Sequence, residues 1–192
     1  MENEFIVGEK VYLRPLEPED ASLVAKCKNS PYVRETFYFN FPENIVQQRD
    51  FLKDLYKIDR RYDYTPFAIV INDIDKPIGI TAFHRIDLVS RAAVFSIIIC
   101  DETEWGHGYG YEVTKLMVEY GFEILNLNRI QLHVSLENPR GVHIYEKAGF
   151  VKEGVLRQAM YHYDRYSDFY VMGILREDYY KSKSKKNSEK TE

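Results

Sequence analysis

Residues 104 to 111 read EWGHGYGY and place three of the chain's ten glycines at alternate positions. A glycine inside an ordered element is unfavourable by roughly 0.5–1 kcal/mol relative to alanine, so the cluster marks positive φ or a backbone that something approaches closely. The glycines follow the apolar run AVFSIIIC, Ala93 to Cys100, and precede a helical pattern. A dinucleotide loop requires G-x-G-x-x-G, and here the third glycine is misplaced. A phosphate-binding P-loop requires a lysine followed by Ser or Thr, which is absent at the helix start. What remains is a run of backbone N–H groups at the positive end of a helix starting near Gly110, which suits an anion. The alternative is a turn that binds nothing.

Other chemistry is harder to find. His84, His107, His133, His143 and His162 show no H-x-x-x-H pair, so no metal site is expected. Cys27 and Cys100 form no C-x-x-C and are too few for a disulfide framework, so both are expected to be reduced, with Cys27 a packing residue of a helix.

Composition bounds the class. The 192 residues are 45% hydrophobic and 29% charged, which fits one soluble domain. No basic-then-apolar leader and no membrane-length apolar run occurs, so a cytoplasmic protein is expected, with no membrane partner. The last twelve residues, KSKSKKNSEKTE, carry five lysines and two glutamates, leaving 21 basic against 28 acidic side chains before them, a net of −7. That balance disfavours nucleic acid and suits a cationic partner. The domain is expected over residues 1–180, with a basic, disordered tail over 181–192.

The elements that position the glycine loop read as an α/β succession. Val11 to Arg14 is a strand, and a helix with acidic residues in its first turn runs from Glu17 to about Asn29. Pro31 to Pro42 is a loop or broken helix, and a helix spans about Asn44 to Ile58. Phe67 to Ile71 and Ile78 to Phe83 form a hairpin across NDIDKP. Ala93 to Cys100 reads as a central strand, covered on both faces. Tyr111 to Leu125 is a helix with one apolar face, Arg129 to Val134 a strand, and Pro139 to Ala148 a helix opened by proline and closed by Gly149. Val151 to Tyr161 and Tyr166 to Leu175 are the closing strands.

The stretch NPRGVHIYEKAGF, Asn138 to Phe150, together with WGHGYG after an apolar strand, resembles the GCN5-related N-acetyltransferases, in particular the branch of ribosomal-protein and spermidine acetyltransferases. The likeness runs from KVYLRPLEPED near residue 10 to about residue 176 and is tightest over residues 92 to 157. It implies an α/β fold with a mixed sheet of about seven strands, splayed at a cofactor cleft and with helices on both faces. The family's pyrophosphate motif falls on Trp105, Gly106, His107, Gly108, Tyr109 and Gly110, with Trp105 in place of the usual Arg or Gln. His107 is read as a solvent-facing spacer there.

By the same resemblance, backbone at Ile98, Ile99 and Cys100 would pair with the pantetheine arm of acetyl-CoA, and Asn138 would contact the cofactor while capping its helix. Tyr145 would protonate the departing thiolate; a phenol near pKa 10 can serve a thiol near 8.5. Glu35, Tyr38 and Glu43 would line the acceptor pocket, with Phe37, Phe39 and Phe41 as apolar walls. The partner implied is a small amine such as a polyamine, or a peptide N-terminus, and a homo-oligomer stays open. A module that binds CoA without turnover is the alternative class.

Overall fold

The structure is a computed structural model that describes residues 3–57 and 62–189. One eight-stranded sheet runs β1-β2-β3-β4-β5-β6-β8-β7. Its strands are β1 Ile6–Val7, β2 Val11–Pro15, β3 Tyr64–Ile71, β4 Lys76–Asp87, β5 Ala92–Ile99, β6 Arg129–Ser135, β7 Val151–His162 and β8 Arg165–Leu175. The expected strands are all present. The eighth is β1, only two residues long and so without a periodic signal of its own.

The helices are α1 Ala21–Asn29, α2 Pro31–Arg34, α3 Ile45–Lys57, α4 Tyr109–Glu119, α5 Pro139–Ala148 and α6 Arg176–Glu189. A 3₁₀ turn, Pro18–Asp20, leads into α1, and the Asp20 carboxylate closes it by accepting from the Glu17 N–H at 2.8 Å. The expected end of α3 at Ile58 lies outside the described residues. The broken-helix reading of Pro31 to Pro42 holds: α2 is a single turn, and its Arg34 guanidinium then folds back on the Phe39 carbonyl at 3.0 Å.

Two expectations are corrected. The helix expected to reach Leu125 is α-helical only to Glu119 and continues as a π turn, Tyr120–Ile124. Gly121 lets that turn sit on the sheet: a Cβ there would lie 2.7 Å from Ile130 Cδ1 and 3.0 Å from Phe83 Cζ. The segment expected to be a disordered tail is helical as far as Glu189, because α6 continues across residue 180. Tyr179 packs on Phe122 at 5.2 Å, Tyr179 and Lys183 both bond Glu123 on the π turn, and Lys181 pairs with Glu177 one turn back, so an aromatic contact and polar bonds together tie the helix down.

All sheet neighbours are antiparallel except β5 and β6. That parallel pair holds only over Ala92 to Val94 against Arg129 to Gln131, and the strands part beyond it. The core divides accordingly. On one face Phe95 joins Val113, Met117, Phe122, Val142 and Phe150 beneath α4 and α5. On the other, Ile98 and Cys100 join Val24, Cys27, Leu52 and Leu55 of α1 and α3. Successive β5 residues therefore point into different layers, as the two-residue strand period requires. Among the described residues no helix is long and apolar enough to cross a membrane.

Candidate active site

The open end of the β5–β6 pair is where the residues singled out above meet. Beyond Val94 the β5 backbone has β4 on one side and no strand on the other. The Cys100 N–H donates to the Ile78 carbonyl at 2.9 Å, which fixes the alternation of an antiparallel ladder. Ile98 and Cys100 thus spend their backbone groups on β4. Of the three residues expected to offer backbone to a pantetheine arm, only Ile99 turns it to the gap, as does Ile97. The Ile99 carbonyl already accepts the Trp105 indole N–H at 3.2 Å.

The glycine loop follows directly. Asp101 caps the turn Glu102–Glu104 by accepting from Thr103 N–H and Oγ1 at 3.1 and 2.7 Å. Those bonds, with Lys26 Nζ at 3.0 Å, hold its carboxyl well below the usual carboxylate range. Gly106 and Gly108 have φ of 85° and 88°, the left-handed region that disfavours a Cβ. Gly108 is the N-cap of α4 with no side-chain cap, and the first intrahelical bond runs from Glu112 N–H to Gly108 O at 3.1 Å. The N–H groups of Tyr109, Gly110 and Tyr111 have no acceptor among the described residues, so the positive helix end is open.

Lys10 adds charge there from a distant part of the chain, its Nζ bonded to the His107 carbonyl at 3.0 Å. No local sequence signal could have marked it. Gly110 needs no special φ; a Cβ there would lie 3.4 Å from Ile144 Cδ1 on α5 and 3.7 Å from Ile99 Cδ1. That one position joins the β5 edge, the loop and α5. His107 is exposed and stacks on Tyr109, and Arg140 lies over the Trp105 ring at 5.9 Å.

Asn138 caps α5, its Oδ1 accepting the Gly141 N–H at 2.9 Å, and its amide nitrogen stays available. Tyr145 stands on α5 against Phe95 and Phe150, with centroids 6.3 and 6.0 Å away. Its hydroxyl has no hydrogen-bond partner among the described residues, and burial pushes the phenol well above its ordinary pKa. The group therefore stays protonated throughout the neutral range, the state an acid needs.

The three expected acceptor residues fare differently. Glu35 is exposed at the end of α2, with a carboxylate that bonds nothing among the described residues. Glu43 is engaged: Lys28 Nζ sits 3.2 Å from its Oε1, and Gln48 Nε2 donates to Oε2 at 2.5 Å. Tyr38 stacks on Phe169 of β8 at 5.1 Å. A cleft of about 790 Å³ is lined by Val155, Leu156, Arg157, Gln158 and Ala159 of β7 and Asp168 of β8, none of them expected from sequence. Among the described residues no group of three His, Cys, Asp or Glu could hold a metal.

The cysteine expectation is overturned. Cys27 of α1 and Cys100 are joined as a disulfide with Cα atoms 4.5 Å apart, because α1 lies directly on the end of β5. The neighbouring Lys26–Asp101 ion pair, at 3.0 Å, ties the same two segments. Tyr32, on α2, meets the Trp105 ring edge-on at 6.3 Å, so α1 and α2 are joined to the segment from Cys100 to Trp105 at three points.

An open helix end for phosphates, a strand edge in a splayed gap and a lone protonated phenol suit acyl transfer from a nucleotide thioester. Known proteins agree. Residues 10–151 match the acetyltransferase (GNAT) domain family. A spermidine N(1)-acetyltransferase of Vibrio cholerae serotype O1 is 33% identical over 174 residues, 90% of this chain and 97% of that protein. A ribosomal-protein-serine acetyltransferase of Escherichia coli K12 is 23% identical over 144 residues, 74% of this chain and 78% of its own. The crystal structure of the Vibrio cholerae spermidine N-acetyltransferase in complex with CoA and spermine superposes with a TM-score of 0.79 at 30% identity, covering 90% of this chain and 99% of that one. On the shared fold, the gapped sheet and the family match over most of its length, this chain belongs to the GNAT family and is an acetyl-CoA-dependent N-acetyltransferase.

Proposed function

We propose that the enzyme acetylates a small polycationic amine by direct attack on the thioester, with the pyrophosphate of acetyl-CoA on the loop Trp105 to Gly110, its pantetheine along Ile97 and Ile99, and Tyr145 as the acid for the thiolate. The observation that carries the reading is the meeting of Ile99, Gly110 and Ile144 at one point beside the gap, with the partnerless Tyr145 hydroxyl on the same helix as Ile144. Asn138 has its amide nitrogen left to offer the cofactor. A side chain at position 108 tests the loop. Gly108→Val forces a branched residue to φ near 88° and puts its Cβ about 3.4 Å from Lys10 Nζ. Calorimetric titration is expected to show acetyl-CoA affinity at least about tenfold weaker, roughly 1.4 kcal/mol, in a variant that still melts cooperatively. Unchanged affinity would remove the loop from the cofactor site.

The polyamine acceptor rests on the net of −7 before the tail, on the open carboxylate of Glu35 and on the polyamine relatives. Lys28 would yield Glu43 to a diamine at low cost, since a partly exposed ion pair contributes about 0–1 kcal/mol. The same Lys28–Glu43 pair, left intact, favours a second reading: a protein N-terminus, which brings one charge and needs one carboxylate. The deciding measurement is kcat/KM for spermidine and for an N-terminal peptide at low and high salt. Spermidine is expected to be preferred, to lose rate as salt screens the encounter, and to lose roughly fivefold in Glu35→Gln, about 1 kcal/mol. Negligible spermidine turnover beside an active peptide selects the second reading. CoA binding with no turnover of any amine would make the protein a binding module.

A further inference from the structure

An alkylammonium must lose a proton before it can attack, and neither Glu35 nor Glu43 is bonded to anything on β5. The gap itself holds a different arrangement. Phe95, the first β5 residue beyond the last β5–β6 pair, touches Tyr145 in the α5 layer. Ser96, the next residue, points to the opposite face, where its Oγ lies 2.7 Å from Nε2 of His84 on β4. Both residues are half-buried, so the pair is sheltered yet reachable. Acid and histidine thus flank the same point of the splayed strand from its two sides.

We propose that Ser96 and His84 form the proton relay that frees the acceptor amine, an assignment that rests on acetyl transfer in this gap. The ammonium gives a proton to Ser96 Oγ as the serine's own proton passes to His84 Nε2, which requires the neutral imidazole to carry its hydrogen on Nδ1. The amine lone pair then forms the N–C bond, the C–S bond breaks, and the thiolate takes the Tyr145 proton. The second proton lost by nitrogen restores the Tyr145 phenol through solvent, and His84 releases the first to water, the net proton of the reaction.

The surroundings keep the imidazole neutral, the form that can take a proton. The Tyr64 ring on β3 lies tilted against it, with centroids 4.9 Å apart, and no carboxylate bonds it among the described residues. Burial first, and then the Arg85 guanidinium, hold its pKa below the ordinary 6.5. Extending the β5–β6 register by two residues puts His133 on the far side of the gap, where burial and Arg85 lower it likewise. A lowered pKa means that the proton-accepting form persists at neutral pH and is lost only as pH falls below the usual histidine range.

The test is kcat against pH at saturating amine for wild type, His84→Gln and Ser96→Ala, with acetyl-CoA affinity and melting temperature alongside. Wild type is expected to show an acidic limb with apparent pKa below 6.5. His84→Gln, which can keep the serine contact but cannot take a proton, is expected to lose about 10²-fold at pH 7 and to lose that limb, with acetyl-CoA affinity unchanged. Ser96→Ala, a change too small to disturb folding, is expected to lose at least about tenfold, since it breaks the same relay. An active wild type whose variants keep the rate within threefold, or keep the limb, overturns the relay alone. A wild type that binds acetyl-CoA and turns over no amine overturns the transferase reading, and the relay falls with it.

Discussion

Tyr145→Phe is expected to lower kcat by about 10²–10⁴-fold while leaving acetyl-CoA affinity and stability nearly unchanged. The split follows from the side chain's surroundings. Its ring is held between Phe95 and Phe150, contacts that phenylalanine reproduces. Its oxygen bonds nothing among the described residues, so removing it strands no buried partner, the usual reason a buried hydroxyl deletion is costly. Raised by burial, the phenol does not ionise near pH 10 as a free tyrosine would, so its acid role is expected to persist through the alkaline range where the amine becomes free. Single-turnover release of CoA thiol, with calorimetric binding on the same variant, checks both halves. A near-normal kcat at neutral pH would mean that water protonates the thiolate.

Reducing the Cys27–Cys100 bond is expected to cost about 4 kcal/mol of stability, the loop-closure entropy of a cross-link spanning 73 residues. For a chain of this size that corresponds to a melting temperature lower by roughly 8–16 °C. The paired Cys27→Ala and Cys100→Ala variant is expected to reproduce the shift and to be insensitive to reductant, which separates the cross-link from any other effect of the reducing agent. Two titratable thiols in the untreated protein, with a melt indifferent to reductant, would return both cysteines to the reduced state expected from sequence. Because Cys100 directly follows Ile99, the reduced protein is also the place to look for loosened cofactor binding.

Local signals were legible wherever one segment carried its whole reason. Pro139 and Gly149 bracket α5 because proline suits a first helical turn and Gly149, with φ of 102°, suits a left-handed end. The glycine loop was legible because glycines clustered after a strand mark backbone that a side chain would obstruct, and Gly106 and Gly108 do adopt positive φ. What escaped depended on partners far along the chain. The tail is helical because Lys183 and Tyr179 reach Glu123, a contact no composition rule anticipates. The π turn can lie on the sheet because Gly121 admits Ile130 and Phe83.

The sequence by itself determined the α/β order, the positive-φ loop at a helix start, the cap at Asn138 and, through its likeness to the acetyltransferases, the cofactor. Those features rest on backbone propensity and short spacing, which act within a few residues. Only the tertiary structure decided that Glu43 is held by Lys28 while Glu35 stays open, that Lys10 stands at Gly108, that Cys27 reaches Cys100, and that His84 meets Ser96. Each of these is a pairing between strands, helices or loops that the sheet's register and splay bring together. The charge and proton affinity of a side chain are set by such neighbours, and sequence distance carries no record of them.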